Sequence, residues 1–175
     1  MYRTQILIIM LAFVIDVSQA GEAEVINGAQ ILAPFKRDLQ QALRNGLTQG
    51  PKQAVAACKL KAPEIVDALS INGVRLGRTS KRLRNPINIG PEWATPILES
   101  YVDNPSDRKP RTVSVGRNRS GYVEPIILQP VCLACHGDAL SPEVSSLITE
   151  LYPEDQAVGY QVGDLRGVFW VEFEN

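Results

Sequence analysis

Thr112-Val113-Ser114-Val115-Gly116 and, beyond a polar tip from Arg117 to Gly121, Tyr122-Val123-Glu124-Pro125-Ile126-Ile127-Leu128-Gln129 decide how the fold is read. The first stretch alternates and the second runs apolar, which predicts two strands over 112–116 and 122–129. Toward the C-terminus, Ser141-Pro142-Glu143 supplies an N-cap, a proline at the first helical position and an acid in the first turn. It predicts a helix to Leu151. Gly167 to Phe173, centred on Val168-Phe169-Trp170-Val171, reads as a further strand. Toward the N-terminus, Asn72-Gly73 is a turn and Val74 to Ser80 can be a strand, while Glu92 to Val102 reads as a helix with Pro96 near its start. Ile31, Leu32, Phe35, Leu39 and Leu43 recur at helical spacing and predict a helix over 25–46 that stops at Asn45-Gly46. Gly50-Pro51 starts a second helix through Val55 and Cys58 toward Leu60, and Pro63 is expected to break or restart it before Ile65, Val66 and Leu69. Helices first, then an antiparallel sheet interrupted by helices, make the fold class α+β.

The 175 residues suit one domain, and 45% apolar with 21% charged residues allow an ordinary core. Residues 1–20 are expected to be a cleaved signal peptide, leaving 21–175 as a single domain. Arg3 is a positive start, Ile6 to Ile15 an unbroken apolar run, and Ser18-Gln19-Ala20 a small-residue cleavage site. The apolar run is about half of the roughly 20 residues a membrane span needs. The expected location is therefore the periplasm, without stable membrane insertion. Residues 1–20 contain one base and one acid, so their loss leaves the net charge at −1. Such a chain has no overall field to gather nucleic acid. Its charge is nonetheless uneven: Arg75, Arg78, Lys81, Arg82 and Arg84 form one basic stretch, and Arg108, Lys109, Arg111, Arg117 and Arg119 another.

The chemistry is carried by Cys132-Leu133-Ala134-Cys135-His136. Cys-x-x-Cys-His is the attachment signature of c-type haem, in which two thiols add to the vinyl groups and the adjacent imidazole ligates the iron. His136 is the one histidine of the chain, and Cys132 and Cys135 are two of its three cysteines. A disulfide oxidoreductase would place its motif after a buried strand of a βαβ unit, and no such pattern precedes Cys132. A zinc site from Cys58, Cys132, Cys135 and His136 has the right ligand count, but neighbouring Cys135 and His136 are poorly spaced for one tetrahedral ion. One covalent haem per chain is the expectation.

With His136 on one iron face, the other lacks a second histidine, and both methionines, Met1 and Met10, lie in the expected leader. Cys58, a lysine or tyrosine, water or a group from a partner remain. Lys59 and Lys61 beside Cys58 would favour its thiolate. An arginine or two would suit the haem propionates, because a guanidinium pairs bidentately with carboxylate.

Several stretches resemble the c-type haem family with a PAS-like fold, found as stand-alone periplasmic proteins and as sensor regions of bacterial signalling proteins. They are Ala57-Cys58 with Ala62-Pro63; Arg78-Thr79-Ser80-Lys81-Arg82-Leu83-Arg84-Asn85-Pro86-Ile87-Asn88 with Trp93; Val131 to Gly137; Tyr152-Pro153-Glu154-Asp155-Gln156-Ala157-Val158-Gly159-Tyr160; and Gly163-Asp164-Leu165-Arg166-Gly167. The resemblance implies a PAS-like antiparallel sheet, His/Cys axial ligation by His136 and Cys58, and Arg78, Ser80, Arg84 and Asn85 on the haem side of the sheet. Ala94 departs from it, standing after Trp93 where an acid is expected. Asp164 and Arg166 flank the turn into the last strand and are expected to form an internal ion pair.

Two filled axial positions suit electron transfer or redox sensing with an unnamed redox or signalling partner, and thiolate donation should lower the reduction potential. The alternative is a gas or ligand sensor in which Cys58 leaves the iron. A small haem peroxidase fits least, for want of a second histidine as distal acid or base.

Overall fold

The computed structural model describes residues 17–175, with side chains from residue 27 onward. The expected leader over 1–20 thus lies outside the described residues, apart from 17–20 at the start of the first helix. That helix, α1 (Val17–Gln49), is followed by α2 (Pro51–Leu69), β1 (Arg75–Thr79), α3 (Thr95–Asp103), β2 (Arg111–Gly116), β3 (Arg119–Ile127), α4 (Leu133–His136), α5 (Pro142–Leu151) and β4 (Leu165–Glu174). The fold is α+β and PAS-like, as expected, with a four-stranded antiparallel sheet in the order β1-β4-β3-β2. Among the described residues no helix is long and apolar enough to cross a membrane.

The last strand occupies the middle of the sheet, so both of its faces are covered. Phe169, Val171 and Phe173 point to one side, where Leu32, Phe35 and Leu39 of α1 and Ala62 of α2 meet them. Val168 and Trp170 point to the other, against Ile97, Leu98 and Tyr101 of α3. This is the two-residue period of a strand read out as two separate cores. A third cluster joins Val55 of α2 to Val144, Ile148 and Tyr152 at α5.

Three sequence expectations give way to packing. Asn45-Gly46 does not end α1, which runs on to Gln49. A Cβ on Gly46 would lie 2.6 Å from the Ala54 Cα, so the glycine serves the close crossing of α1 and α2 rather than a stop. Pro63 does not break α2 either, and Pro34 sits inside α1. Each forfeits one helical hydrogen bond. Buried Leu32 and Phe35 flank Pro34, and Ala62, Ile65 and Val66 surround Pro63, so burial holds both helices through the defect. The expected helix over Glu92–Val102 divides into a 3-10 turn, Glu92–Ala94, and α3.

Two details of β3 and β4 shape the cavity side. Pro125 lies beyond Val123, the last β3 residue that β2 pairs, where β3 has become an edge and a missing N–H costs little. Gly167 has φ +154, and a Cβ there would stand 2.1 Å from the Thr79 carbonyl oxygen, so β1 approaches β4 at a point only glycine permits. Ala94 is fully buried with Trp93 in the α3 core, on the opposite face of the sheet from α1 and α2. An acid there would be desolvated and remote from the site described below.

The core reading gives a direct test. Phe35 is fully buried and meets the Phe169 ring edge-on at 5.7 Å between centroids. Phe35→Ala should cost about 3–5 kcal/mol in urea unfolding, whereas Leu60→Ala, 63% exposed, should stay within about 0.5 kcal/mol.

Candidate functional site

Between the β1–β4–β3 face and helices α1 and α2 lies a cavity of about 570 Å³. Every residue singled out from the sequence lines it: Cys58, Arg78, Ser80, Arg84, Asn85, Cys132, Cys135 and His136. The register explains the sheet's share. Arg78 pairs with Phe169, and Phe169 with Glu124, so all three side chains project from the same face. Cys58 comes from α2, held on α5 by Lys59, whose Nζ donates to the Leu151 carbonyl at 2.8 Å and sits 5.3 Å from the Tyr152 ring centre. Lys36 of α1 pairs with Glu124 at the cavity wall.

The motif begins in a 3-10 turn, Pro130–Cys132, and continues as the single turn of α4. A turn this short cannot hold itself, and the segment after α5 does so instead. Gly159 N–H donates to the Gly137 carbonyl at 2.8 Å, and Tyr160 N–H to the His136 carbonyl at 3.0 Å. His136 Nδ1 lies 2.7 Å from the Ala157 carbonyl oxygen. Since a carbonyl only accepts, Nδ1 carries the proton and Nε2 keeps its lone pair. Burial, helped by the nearby positive charges of Arg166, Arg84 and Arg78, pushes the His136 pKa down to about 3, against the Ala157 hydrogen bond. The imidazole is therefore neutral at physiological pH, the form that ligates a metal.

The arginines divide into two kinds. Arg84 spends Nε and Nη2 within the protein. Its Nε and Nη2 meet the Asp155 carboxylate at 3.2 and 3.1 Å, and Nη2 also donates to the Cys135 carbonyl at 2.6 Å and the Ala157 carbonyl at 3.1 Å. Arg78 has no hydrogen-bond or ion-pair partner among the described residues, and Arg166 reaches only the Arg82 carbonyl, at 3.0 Å, and the face of Tyr160. Burial lowers the Arg166 pKa to about 10, with Arg78 and Arg84 adding to the shift and Tyr160 and Asp155 opposing it. The expected Asp164–Arg166 pair does not form. Asp164 turns back to accept the Gln161 N–H at 2.7 Å, closing its own turn. Ser80 and Asn85 each cap a local turn, accepting the Arg82 N–H at 3.1 Å and the Ile87 N–H at 3.2 Å.

The cavity brings three thiols and one imidazole to its walls. Among the described residues no three His, Cys, Asp or Glu side chains converge as a metal ion requires. All three cysteines are free thiols. Burial raises the Cys135 thiol, with Cys58 and Cys132 adding to the shift and Arg84 opposing it. That is the reverse of the low-pKa thiol of a disulfide oxidoreductase, and no parallel βαβ unit is present among the described residues. Asp155, Ala157, Arg166 and Tyr160 complete the site. Their sequence signal was membership of two stretches that carry the family resemblance, 152–160 and 163–167, the second running into β4. In haem-free protein at pH 8, alkylation of Cys135 by iodoacetamide, followed by peptide mass spectrometry, should be slower than that of a free cysteine peptide and should catch up in urea.

The solved structure of the cyanobacterial heme-protein Tll0287 shares this fold, with a TM-score of 0.61 and 24% identity over 88% of this chain and 94% of that one. No curated protein matches the chain significantly. The Tll0287-like family model matches residues 18–173, and the chain belongs to that family.

Proposed function

We propose that the chain is an exported haem protein that transfers electrons or senses redox state. One haem would be joined to Cys132 and Cys135, with His136 and Cys58 as iron ligands. The observation that carries this is the meeting of Cys58, Cys132, Cys135 and a neutral His136 on one cavity. Its support from outside the chain is the shared fold with a protein described as a heme-protein. A haem bound there supplies a one-electron iron couple.

The chain's own residues do the rest. Ala157 fixes the tautomer of His136, so that Nε2 is the ligating nitrogen. Lys59 anchors the turn of α2 that bears Cys58, which favours a ligand that stays in place. Arg78 and Arg166 line the cavity without a carboxylate partner, as Arg44 does, but they are the two whose charges act on His136, and they suit the two propionates. Leu39, Leu43, Ile126 and Phe169 give the cavity apolar walls. With both His136 and Cys58 available to hold it, a haem there would leave no open coordination site for a substrate, and electron transfer would be favoured over peroxidase chemistry.

Expression with export and cytochrome c maturation should give a protein whose intact mass exceeds the polypeptide by one haem, with a c-type pyridine haemochrome. Its ferric spectrum should be low-spin. Cys58→Ala should shift the Soret band and move the spectrum toward high spin. An unshifted spectrum removes Cys58 from the iron, and a mass without haem removes the reading altogether.

A further inference from the structure

Ala157 accepts two hydrogen bonds on one carbonyl oxygen. His136 Nδ1–H reaches it at 2.7 Å and Arg84 Nη2 at 3.1 Å. The residue that carries this carbonyl is held by Asp155, whose Oδ1 accepts the Ala157 N–H at 2.8 Å. The same carboxylate binds Arg84 through both oxygens, with side-chain exposures of 12% for Arg84 and 7% for Asp155. Arg84, Asp155, Ala157 and His136 therefore form a closed circuit in which one cation and one anion act on the acceptor of the histidine's only N–H.

We propose that Arg84 and Asp155 are positioning residues that set the electron donation of His136 through the Ala157 carbonyl. This rests on the reading of His136 as an iron ligand. It also assigns Arg84 a role other than holding a propionate, because its Nε and Nη2 are already committed within the protein. The physical argument concerns competition for one oxygen. A carbonyl that accepts from a guanidinium has less electron density left for a second donor, so His136 keeps more of its Nδ1 proton and donates less charge from Nε2. A less donating axial ligand stabilises ferric iron less, so the reduction potential is higher. Asp155 works the other way, drawing the guanidinium's charge toward itself and away from the carbonyl. The pair thus holds the imidazole between two extremes, and removing either member should move it in opposite directions.

The test uses haem-loaded full-length protein, Arg84→Gln and Asp155→Asn. Haem content comes from pyridine haemochrome, potentials from spectroelectrochemical titration. The His136 Nδ1–H proton resonance is read by NMR on reduced protein under carbon monoxide, which is diamagnetic whether or not Cys58 stays bound. Arg84→Gln should make the potential more negative and move the resonance downfield, as the hydrogen bond to Ala157 strengthens. Asp155→Asn, which keeps an acceptor for the Ala157 N–H, should make the potential less negative and move the resonance upfield. Haem-loaded variants that leave the resonance unmoved, or that both shift the same way, overturn the proposal while leaving the haem reading intact. Wild-type protein without haem overturns both. If Arg84→Gln does not fold, Asp155→Asn alone decides by the sign of its two shifts.

Discussion

Everything on the cavity side depends on β4 being wet on neither face. A strand that is last in the chain and central in the sheet must match two different cores with alternate side chains. Phe169, Val171 and Phe173 take the helical hairpin of α1 and α2, and Val168 and Trp170 take α3. The alternation leaves no freedom of register, because a slip by one residue would exchange the two cores. It also determines where the cavity can be. The side of Phe169 carries Arg78 and Glu124 from the neighbouring strands, so the polar inner surface of the site is dictated by the same pairing that closes the core.

The site is electrically lopsided by construction. Arg78, Arg84 and Arg166 all act on His136, and Asp155 neutralises only Arg84. Two guanidiniums on the cavity with no carboxylate of their own are costly to bury and call for an anionic occupant. A cavity that needs negative charge at one end and offers thiols and an imidazole elsewhere is selective before any shape is considered. Apolar molecules of the right size would leave the arginines desolvated and unpaired.

Much of this was legible in the sequence where chemistry is local. Cys132, Cys135 and His136 declare themselves by spacing, Ser141-Pro142-Glu143 by capping, and the strands 112–116 and 122–129 by pattern. Cys58 emerged from the inventory of possible ligands and from family resemblance, not from its surroundings. What escaped was whatever depends on which element lies next to which. Gly46 reads as a stop and is a crossing point; Pro63 reads as a break and is carried by burial on both sides. Asp164 and Arg166 read as a pair because they are close in sequence, yet Asp164 closes a turn and Arg166 reaches across to Arg82. The Arg84–Asp155 circuit spans 71 residues and has no local signature at all.

The placement of β4 also has a consequence in time. The ladder from β1 to β3 passes through residues 165–174, so β1 and β3 have no direct partner in each other. A chain delivered from its N-terminus can form α1, α2 and the β2–β3 hairpin early, but β1 remains unattached until the final stretch inserts between them. Closure by so distant a segment carries a large loop entropy and makes assembly slow relative to helix formation. The contacts that hold the turn of Cys132, Cys135 and His136 come from residues 157–160, just ahead of that strand, so the site and the sheet are both completed by the C-terminal stretch of the chain.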